Sequence, residues 1–428
     1  MSTTIAEPVY WSVSKKAGFR FALIFFLSYI FFNPNGAYPN PVVNLLTDSL
    51  HNLVIWFAKH VLHLGKPITA FTGGSGDTTY DYVLLLVVFA SSFVAATLWT
   101  LLDRKVRNYN KLYYWLTVIV RFYLGIMMLQ YGFIKVIKLQ FPSPSLGRLL
   151  EPYGDSSPMG LAWTYIGYST GFNYFAGIAE VSCGLLLLFR RTSVLGALLG
   201  VVVAGNIMVI NYCFDVPVKL LSTALVVMSI FLLLRDAERL ANVFFLNKTA
   251  LPANLSPHQF KKRWKNITLI VVKYLIIVYV LAGNITNDIS FASQYGDKAK
   301  KPPLYGIYKV ETFVRNQDTI APLATDTSRW SRLVISYAGD AQIKLMNDSS
   351  KNVSFKVDTQ IHHIVINTYA DTMVRFHFNY TKPQPGVLLL KGKWQQDSLK
   401  IKFNRFDEKQ FLLMRRGFHW INEYPLNK

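Results

Sequence analysis

The chain has 428 residues, of which 52% are hydrophobic and only 16% charged, and its mean hydropathy is positive. A soluble protein of this size has about one quarter charged residues, so this composition argues against a protein that is soluble throughout. The net charge of +21 would suggest nucleic-acid binding, but much of it lies in short loops between apolar runs. We therefore expect no nucleic-acid partner, and the two cysteines, Cys183 and Cys213, exclude a disulfide framework.

Apolar runs of about 20 residues, the length that crosses a bilayer core, fill the first two thirds of the chain. They predict an α-helical membrane bundle of seven transmembrane helices, at about 17–33, 82–102, 113–137, 172–189, 193–213, 217–234 and 268–285. The first run follows basic residues, as in a signal peptide, but no convincing small-residue cleavage site comes after it. We expect it to be retained as the first span.

Basic residues cluster in loops that an alternating seven-span arrangement places on one side of the membrane. The positive-inside rule then predicts a cytoplasmic N-terminus and a C-terminal domain outside the membrane. The predicted partner is the lipid bilayer. The clusters are Arg104, Lys105, Arg107 and Lys111 after the second span, Arg190 and Arg191 after the fourth, and Arg235, Arg239, Lys261, Lys262, Arg263 and Lys265 after the sixth.

Two outer loops carry local structure of their own. The first, about 34–80, has apolar residues at helical spacing and predicts an interfacial amphipathic helix. His60 and His63 within it suggest a metal or haem site, but no further ligands lie nearby, so we interpret them as polar-face residues and expect no metal. The second loop, about 139–171, contains "SLGRLLEPYGDSSP", which predicts a short helix ended by Pro and Gly.

Span three carries two cations inside its apolar run. Arg121, Gly125, Met128, Gly132 and Lys135 recur at alternating spacings of four and three residues, which places them on one face of a helix. Small residues on that face allow a second helix to approach closely, and charges avoid lipid. The face is therefore expected to point into the bundle.

Span four repeats this pattern, with a carboxylate that needs a partner or a proton inside a membrane. Counting about 1.5 Å per residue from each membrane surface places Arg121 closer than Lys135 to Glu180. The sequence therefore predicts an Arg121–Glu180 ion pair, with Lys135 at the outer mouth, and leaves open whether the pair is structural or functional. The span-four stripe consists of Asn173, Gly177, Glu180 and Gly184.

Further polar residues gather in the outer half of the predicted bundle. Asn206 lies late in span five, Asp215 follows it in a turn, and Tyr131 precedes Lys135 on span three. An apolar slot that contains a few polar groups is typical of a small-ligand site. The predicted ligand-binding residues are Arg121, Tyr131, Lys135, Asn173, Glu180, Asn206 and Asp215.

From about Leu304 the apolar pattern changes to alternation with period two. Nine segments, the last of them "FLLMRRG", are separated by turn residues at about 8–12-residue spacing. This pattern predicts an all-β extracytoplasmic domain, a lipocalin-like barrel or a sandwich. The predicted organisation is an N-terminal membrane segment (1–110) with two spans and an outer amphipathic loop, a four-helix membrane domain (111–236), a cytoplasmic loop with the seventh span (237–290), and the β domain (300–428).

Spans three to six, about 113–235, resemble the DoxX family. The residues that carry the resemblance are "RFYLGIMMLQYGFIKV", with Arg121 and Lys135, and "AGIAEVSCGLLLLFRRTSVLGALLG", with Glu180. The resemblance implies a four-helix membrane domain, and some DoxX-like chains are subunits of thiosulfate:quinone oxidoreductases. More remotely, the bundle resembles the membrane part of vitamin-K-dependent carboxylase-like proteins. The long architecture resembles larger DoxX-like proteins of Gram-negative bacteria, which implies the bacterial inner (plasma) membrane, with the C-terminal domain in the periplasm.

Two functions therefore remain open. The first is a DoxX-like inner-membrane protein that binds a quinone or another small apolar ligand within a redox complex. The second is a non-catalytic membrane scaffold whose outer β domain binds an envelope protein or lipid. The sequence has no haem-binding, iron–sulfur or nucleotide motif, which argues against a redox cofactor of those kinds bound by this chain alone. The cofactor is left undetermined, with a quinone against Tyr131, Lys135 and the span-four stripe kept open, and enzymatic activity is left undecided. A transporter is the weaker third reading, because no inverted repeat is visible.

Overall fold

The structure, a computed structural model, describes residues 10–38, 41–66, 68, 74–253, 255, 257, 259–369 and 374–427. It divides into two compact units. The first comprises Met1–Phe141 and Pro158–Ala292, and the second comprises Pro142–Ser157 and Ser293–Lys428.

The first unit is helical. Its most extensive helix–helix contact joins the fourth and seventh helices, α4 and α7. In addition, α1 packs against α3, α7 against α8, and α8 against α9. The helices of the whole chain are α1 (Val13–Phe32), α2 (Pro41–His60), α3 (Thr79–Leu102), α4 (Asn110–Val136), α5 (Leu146–Leu149), α6 (Pro158–Tyr168), α7 (Thr170–Leu188), α8 (Ser193–Cys213), α9 (Lys219–Leu234), α10 (Ala237–Phe244), α11 (Arg263–Tyr295) and α12 (Leu412–Arg415).

The core of this unit centres on α4. Leu116, Leu124, Met127 and Leu129 of this helix are fully buried among residues of α1, α7, α8 and α9. By contrast, α3, α8 and α11 expose large apolar side chains; Phe93 is 61% exposed, Val202 69% and Val278 62%. A water-facing helix would carry polar residues at such positions, so these surfaces suit an apolar surrounding.

Among the residues that the structure describes, five helices are long and apolar enough to cross a membrane: α3, α4, α7, α8 and α11. A sixth is added if α9 and α10, which are bent by 83° at their junction, are counted as one broken span. Helices form at all seven predicted segments, and α8 has the predicted bounds. The number of spans, seven, and their insertion stay predictions.

The predicted amphipathic helix in the first outer loop is present as α2, and the predicted short helix in the second is present as α5. The sequence did not predict α6 or α10. Among the described residues there is no group of three or more metal-ligating side chains, and His60 stacks on Trp56.

The second unit contains an eight-stranded antiparallel barrel. Each long strand pairs with the next along the chain, and the last pairs with the first, which closes the sheet. This closure decides between the predicted barrel and the predicted sandwich in favour of the barrel. The strands are β1 (Gly306–Arg315), β2 (Asp318–Thr319), β3 (Trp330–Tyr337), β4 (Gly339–Leu345), β5 (Ser350–Asp358), β6 (His363–Thr368), β7 (Arg375–Thr381), β8 (Val387–Trp394) and β9 (Asp397–Phe406); β2 is a short addition to β1.

Side chains fill the barrel. Alternate residues of each strand point inwards, as in β7, where buried and exposed residues alternate throughout. Phe313, Phe378 and Phe403 are at most 1% exposed and belong to one apolar cluster. An eight-stranded barrel is just wide enough for its own side chains to fill, so this interior is a packed core.

One face of the barrel is covered by a segment from far earlier in the chain. Leu146 of α5 is 3% exposed and packs on Ile307 of β1 and Val334 of β3, which are also buried. Lys344 Nζ donates to the carbonyl oxygen of Leu150, and the amide and hydroxyl of Ser143 donate to the Asp297 carboxylate. The segment 142–157 is therefore part of the barrel unit.

The predicted ninth strand is wrong. The segment "FLLMRRG", residues 411–417, contains the short helix α12 instead. Its four consecutive apolar residues do not alternate, and β9 already pairs with β1, so the closed barrel offers this segment no free edge.

Candidate functional site

The site is built on the close approach of α4 and α7. A Cβ added to Gly132 would lie 2.9 Å from the carbonyl oxygen of Gly177, and one added to Gly184 would lie 2.7 Å from that of Gly125. Separations below 3.0 Å leave no room for a side chain. These glycines therefore let two antiparallel backbones touch, which is the role predicted for them.

Directly beside this contact, Lys135 and Glu180 form a buried ion pair. Lys135 Nζ lies 2.6 Å from Glu180 Oε1 and 2.8 Å from Oε2. Lys135 is 6% exposed and Glu180 1%. Because both carboxylate oxygens lie within hydrogen-bond distance of the ammonium, each charge compensates the other's loss of water.

This geometry corrects the predicted Arg121–Glu180 pair and the predicted position of Lys135 at an outer mouth. Lys135 follows Gly132 by three residues, and Glu180 follows Gly177 by three. Helical side chains lean towards the N-terminus of their own helix. In an antiparallel pair, Lys135 and Glu180 therefore lean towards each other, whereas Arg121 leans away from Glu180 and from the glycine contact.

Aromatic and amide groups surround the pair. Lys135 Nζ lies 5.7 Å from the ring centroid of Tyr131 and 5.9 Å from that of Phe141. Asn173 is fully buried, and its Nδ2 donates to the carbonyl oxygens of Ile166 and Phe141. Asn173 Oδ1 is buried and has no hydrogen-bond partner among the described residues. Asn173 thus keeps an unsatisfied acceptor on α7, seven residues before Glu180.

Of the seven predicted ligand-binding residues, Tyr131, Lys135, Asn173 and Glu180 lie on the facing parts of α4 and α7. Asn206 and Asp215 are not part of this group. Asn206 is exposed on α8, and the exposed Asp215 forms an ion pair with Lys219 at 2.8 Å. Arg121 lies towards the opposite end of α4 and lines a separate cavity.

Sequence reasoning missed two polar clusters elsewhere in the helical unit. The carboxylate of Asp77 accepts from the backbone N–H groups of Lys219 and Leu220, at 2.7 and 3.0 Å, at the start of α9. The first N–H groups of a helix need an acceptor from outside it, so the start of α9 indicates that such a partner exists. It does not indicate which residue, because Asp77 lies in a loop 142 residues earlier.

The second missed cluster surrounds Arg20, which is 2% exposed. Its guanidinium donates to the Tyr109 hydroxyl and to the Asp103 carbonyl oxygen, and the Tyr109 hydroxyl donates to the Asp103 carboxylate. The hydrogen bond from Tyr109, followed by one from Trp99, lowers the pKa of Asp103. The sequence signal that could have indicated this cluster is the presence of an arginine inside an apolar run.

The sequence is similar to that of a known bacterial protein. Over 126 residues, which are 29% of this chain and 79% of the relative, the sequence is 36% identical to the uncharacterized protein YwoB of Bacillus subtilis strain 168. The chain belongs to the YwoB family.

No family model matches the chain, and no solved structure matches it. The family assignment thus rests on less than one third of this chain. YwoB is itself uncharacterized and supplies no ligand or activity. The chemistry of this YwoB-family protein must therefore be inferred from its own residues.

Proposed function

We propose that this protein is a DoxX-like protein of the bacterial inner membrane that binds a quinone, or another small apolar ligand, beside Lys135 and Glu180 as part of a redox complex. In this proposal seven helices span the membrane, the N-terminus is cytoplasmic, and the lipocalin-like barrel is periplasmic. The apolar surfaces of α3, α8 and α11 support membrane insertion, and the basic loops support the orientation.

The observation that carries the proposal is the buried Lys135–Glu180 pair with Tyr131 beside it. A buried ion pair is weak evidence for stability, because apolar residues of similar volume often stabilise a core equally well. In contrast, a small apolar ligand with a polar group at one end requires a hydrogen-bond donor and an acceptor close together in an apolar site. The interface of α4 and α7 provides both.

A quinone fits these groups by its hydrogen bonds. Its carbonyl oxygen accepts a hydrogen bond from the Lys135 ammonium or the Tyr131 hydroxyl. In the reduced form the same oxygen is a hydroxyl, which donates to Glu180 or to the unpartnered Oδ1 of Asn173. Reduction of a bound quinone would take two electrons and two protons. In this proposal a partner protein of the redox complex supplies the electrons, and the aqueous phase supplies the protons.

The test is the ligand content of the purified full-length protein. The absorption spectrum and an organic extract of the protein are expected to show about one quinone per chain. The Lys135→Met variant should contain severalfold less quinone. Lys111→Met is the matched control, because Lys111 is an exposed residue of the same helix, outside the site. A clean spectrum together with a stoichiometric co-purifying protein would reject quinone binding.

A second candidate function is a membrane scaffold whose barrel unit binds an envelope protein or lipid. The observation in its favour is the segment after α12, where large side chains are exposed: Phe418 by 78%, Trp420 by 90% and Tyr424 by 86%. Aromatic residues at this exposure are typical of binding surfaces and membrane interfaces. Deleting 418–427 should release the partner without changing the quinone content.

A further inference from the structure

A small cavity with three arginines lies at the end of the helical unit where α4 and α8 begin and α9 ends. It has a volume of about 30 Å³ and is lined by, among others, Tyr114, Arg121, Arg190, Ser193, Arg235 and Asp236. These residues come from three separate stretches of the chain, so the fold collects the positive charge at this point.

Arg121 forms the buried side of the cavity. It is 8% exposed, and its Nε is buried without a hydrogen-bond partner among the described residues. The ring of Phe122, 5.6 Å from Arg121 Cζ, does not supply an acceptor. A buried guanidinium that lacks an acceptor is costly, which is the reason such groups are nearly always paired.

The start of α8 adds further donors. Ser193 and Val194, the first two residues of this helix, line the cavity. The preceding Thr192 does not cap the helix, because its hydroxyl donates to the carbonyl oxygens of Leu186 and Phe189. The first N–H groups of a helix have no partner within it, and they attract anions.

Among the described residues, the cavity wall has one carboxylate against three arginines. Asp236 accepts a hydrogen bond from Arg239, with which it forms an ion pair. Arg190 donates to the hydroxyl of Tyr114 and to the carbonyl oxygen of Leu255, which are both uncharged partners. The wall therefore keeps a clear excess of positive charge.

We propose that this cavity binds one phosphate group. Guanidinium groups bind phosphate oxygens through paired hydrogen bonds, and helix N-termini bind them through backbone N–H groups. A pocket for a drug-sized ligand measures at least about 300 Å³, so a cavity of about 30 Å³ takes a compact group and excludes a quinone ring. In the membrane orientation proposed above, this end lies at the cytoplasmic surface.

Two sources supply that chemistry at a membrane surface: the head group of a phospholipid, and phosphate dissolved in the cytoplasm. The full-length protein is purified in one detergent and divided between two measurements. Native mass spectrometry counts the phospholipid retained per chain, and equilibrium dialysis with radiolabelled inorganic phosphate measures binding of the soluble ion. We expect one site in one of the two measurements.

Two variants test whether the site is this cavity. Arg121→Met and Arg190→Met should each weaken binding roughly tenfold or more, as loss of a charged hydrogen bond does. Arg191→Met is the matched control and should bind like the wild type, since Arg191 is exposed and is not among the residues that line the cavity. Arg190 is half-buried, so its variant remains informative even if Arg121→Met folds poorly.

Retained phospholipid that inorganic phosphate does not displace would identify the lipid as the source, whereas saturable binding of phosphate would identify the soluble ion. Absence of both, or equal binding by wild type, Arg121→Met and Arg190→Met, would overturn the proposal. An equal loss in Arg191→Met would overturn it as well, because binding would then follow total surface charge. The cytoplasmic position of the cavity rests on the proposed function, but the quinone content is measured separately, so failure of one proposal is distinguished from failure of the other.

Discussion

The ammonium of Lys135 and the carboxylate of Glu180 meet at 2.6 Å across two helices, each three residues beyond the glycine at which those helices touch. The same backbone contact thus brings the charges together and removes the space that water would need. Helix approach and charge pairing are therefore expected to fail together.

The ion pair can be tested by single and double substitution. Lys135→Met and Glu180→Gln should each destabilise the protein by about 3–5 kcal/mol, because each leaves a buried charge without its partner. The double variant Lys135→Met, Glu180→Leu should recover most of that loss. Thermal unfolding in detergent measures the stability of each variant. A double variant that is no more stable than the single variants would contradict the pairing.

The glycine contact can be tested by adding one methyl group. In Gly132→Ala the new Cβ would lie 2.7–2.9 Å from Val181 and Gly177, so α4 and α7 must separate, at a cost of about 1–3 kcal/mol. Gly205→Ala is the matched control, because a Cβ there meets no atom within 4 Å. Thermal unfolding should rank the control at or above the wild type, and a loss of equal size in both variants would argue against close packing.

The start of α9 depends on a distant carboxylate. Asp77→Ala should destabilise the helical unit by about 1–2 kcal/mol, because two helix N–H groups lose their acceptor. Asp215→Ala should change stability by less than about 1 kcal/mol, since the Asp215 side chain is 85% exposed and its ion pair with Lys219 is solvated. Hydrogen exchange of the first turn of α9 distinguishes the two variants.

Membrane orientation can be tested with reporter fusions. Fusions after Lys111 and Lys248 should report a cytoplasmic position, and a fusion after Lys428 an external one, as the basic loops predict. A cytoplasmic signal after Lys428 would contradict the seven-span arrangement.

The barrel unit offers a test of the segment that covers it. Residues 300–428 alone should give a β-type circular dichroism spectrum with cooperative melting, but Ile307 and Val334 would be exposed on the barrel surface. A peptide of residues 142–157 should bind this fragment and raise its melting temperature. The same peptide with Leu146→Asp should not, because the charge would enter an apolar contact.

The extent of the fold that could be predicted follows from the range of the interactions. Apolar runs and period-two segments are local signals, so α8 and the eight long strands were predicted from the sequence. The partner of Glu180 is Lys135 and not Arg121 because of the direction in which helical side chains lean. Counting residue depth along straight helices ignores this direction. The acceptor of α9, Asp77, is 142 residues away, and no local pattern indicates that contact.

The segment that covers the barrel also sets an order of events during synthesis. Leu146 leaves the ribosome about 160 residues before Ile307, the strand residue against which it packs. At roughly 5–20 residues per second, that interval lasts on the order of 10–30 s. Throughout this interval the apolar side chain of Leu146 has no native partner. The delay lengthens further because the sheet closes only after β9 has been synthesised. During this interval the short loop is therefore exposed to proteases and chaperones.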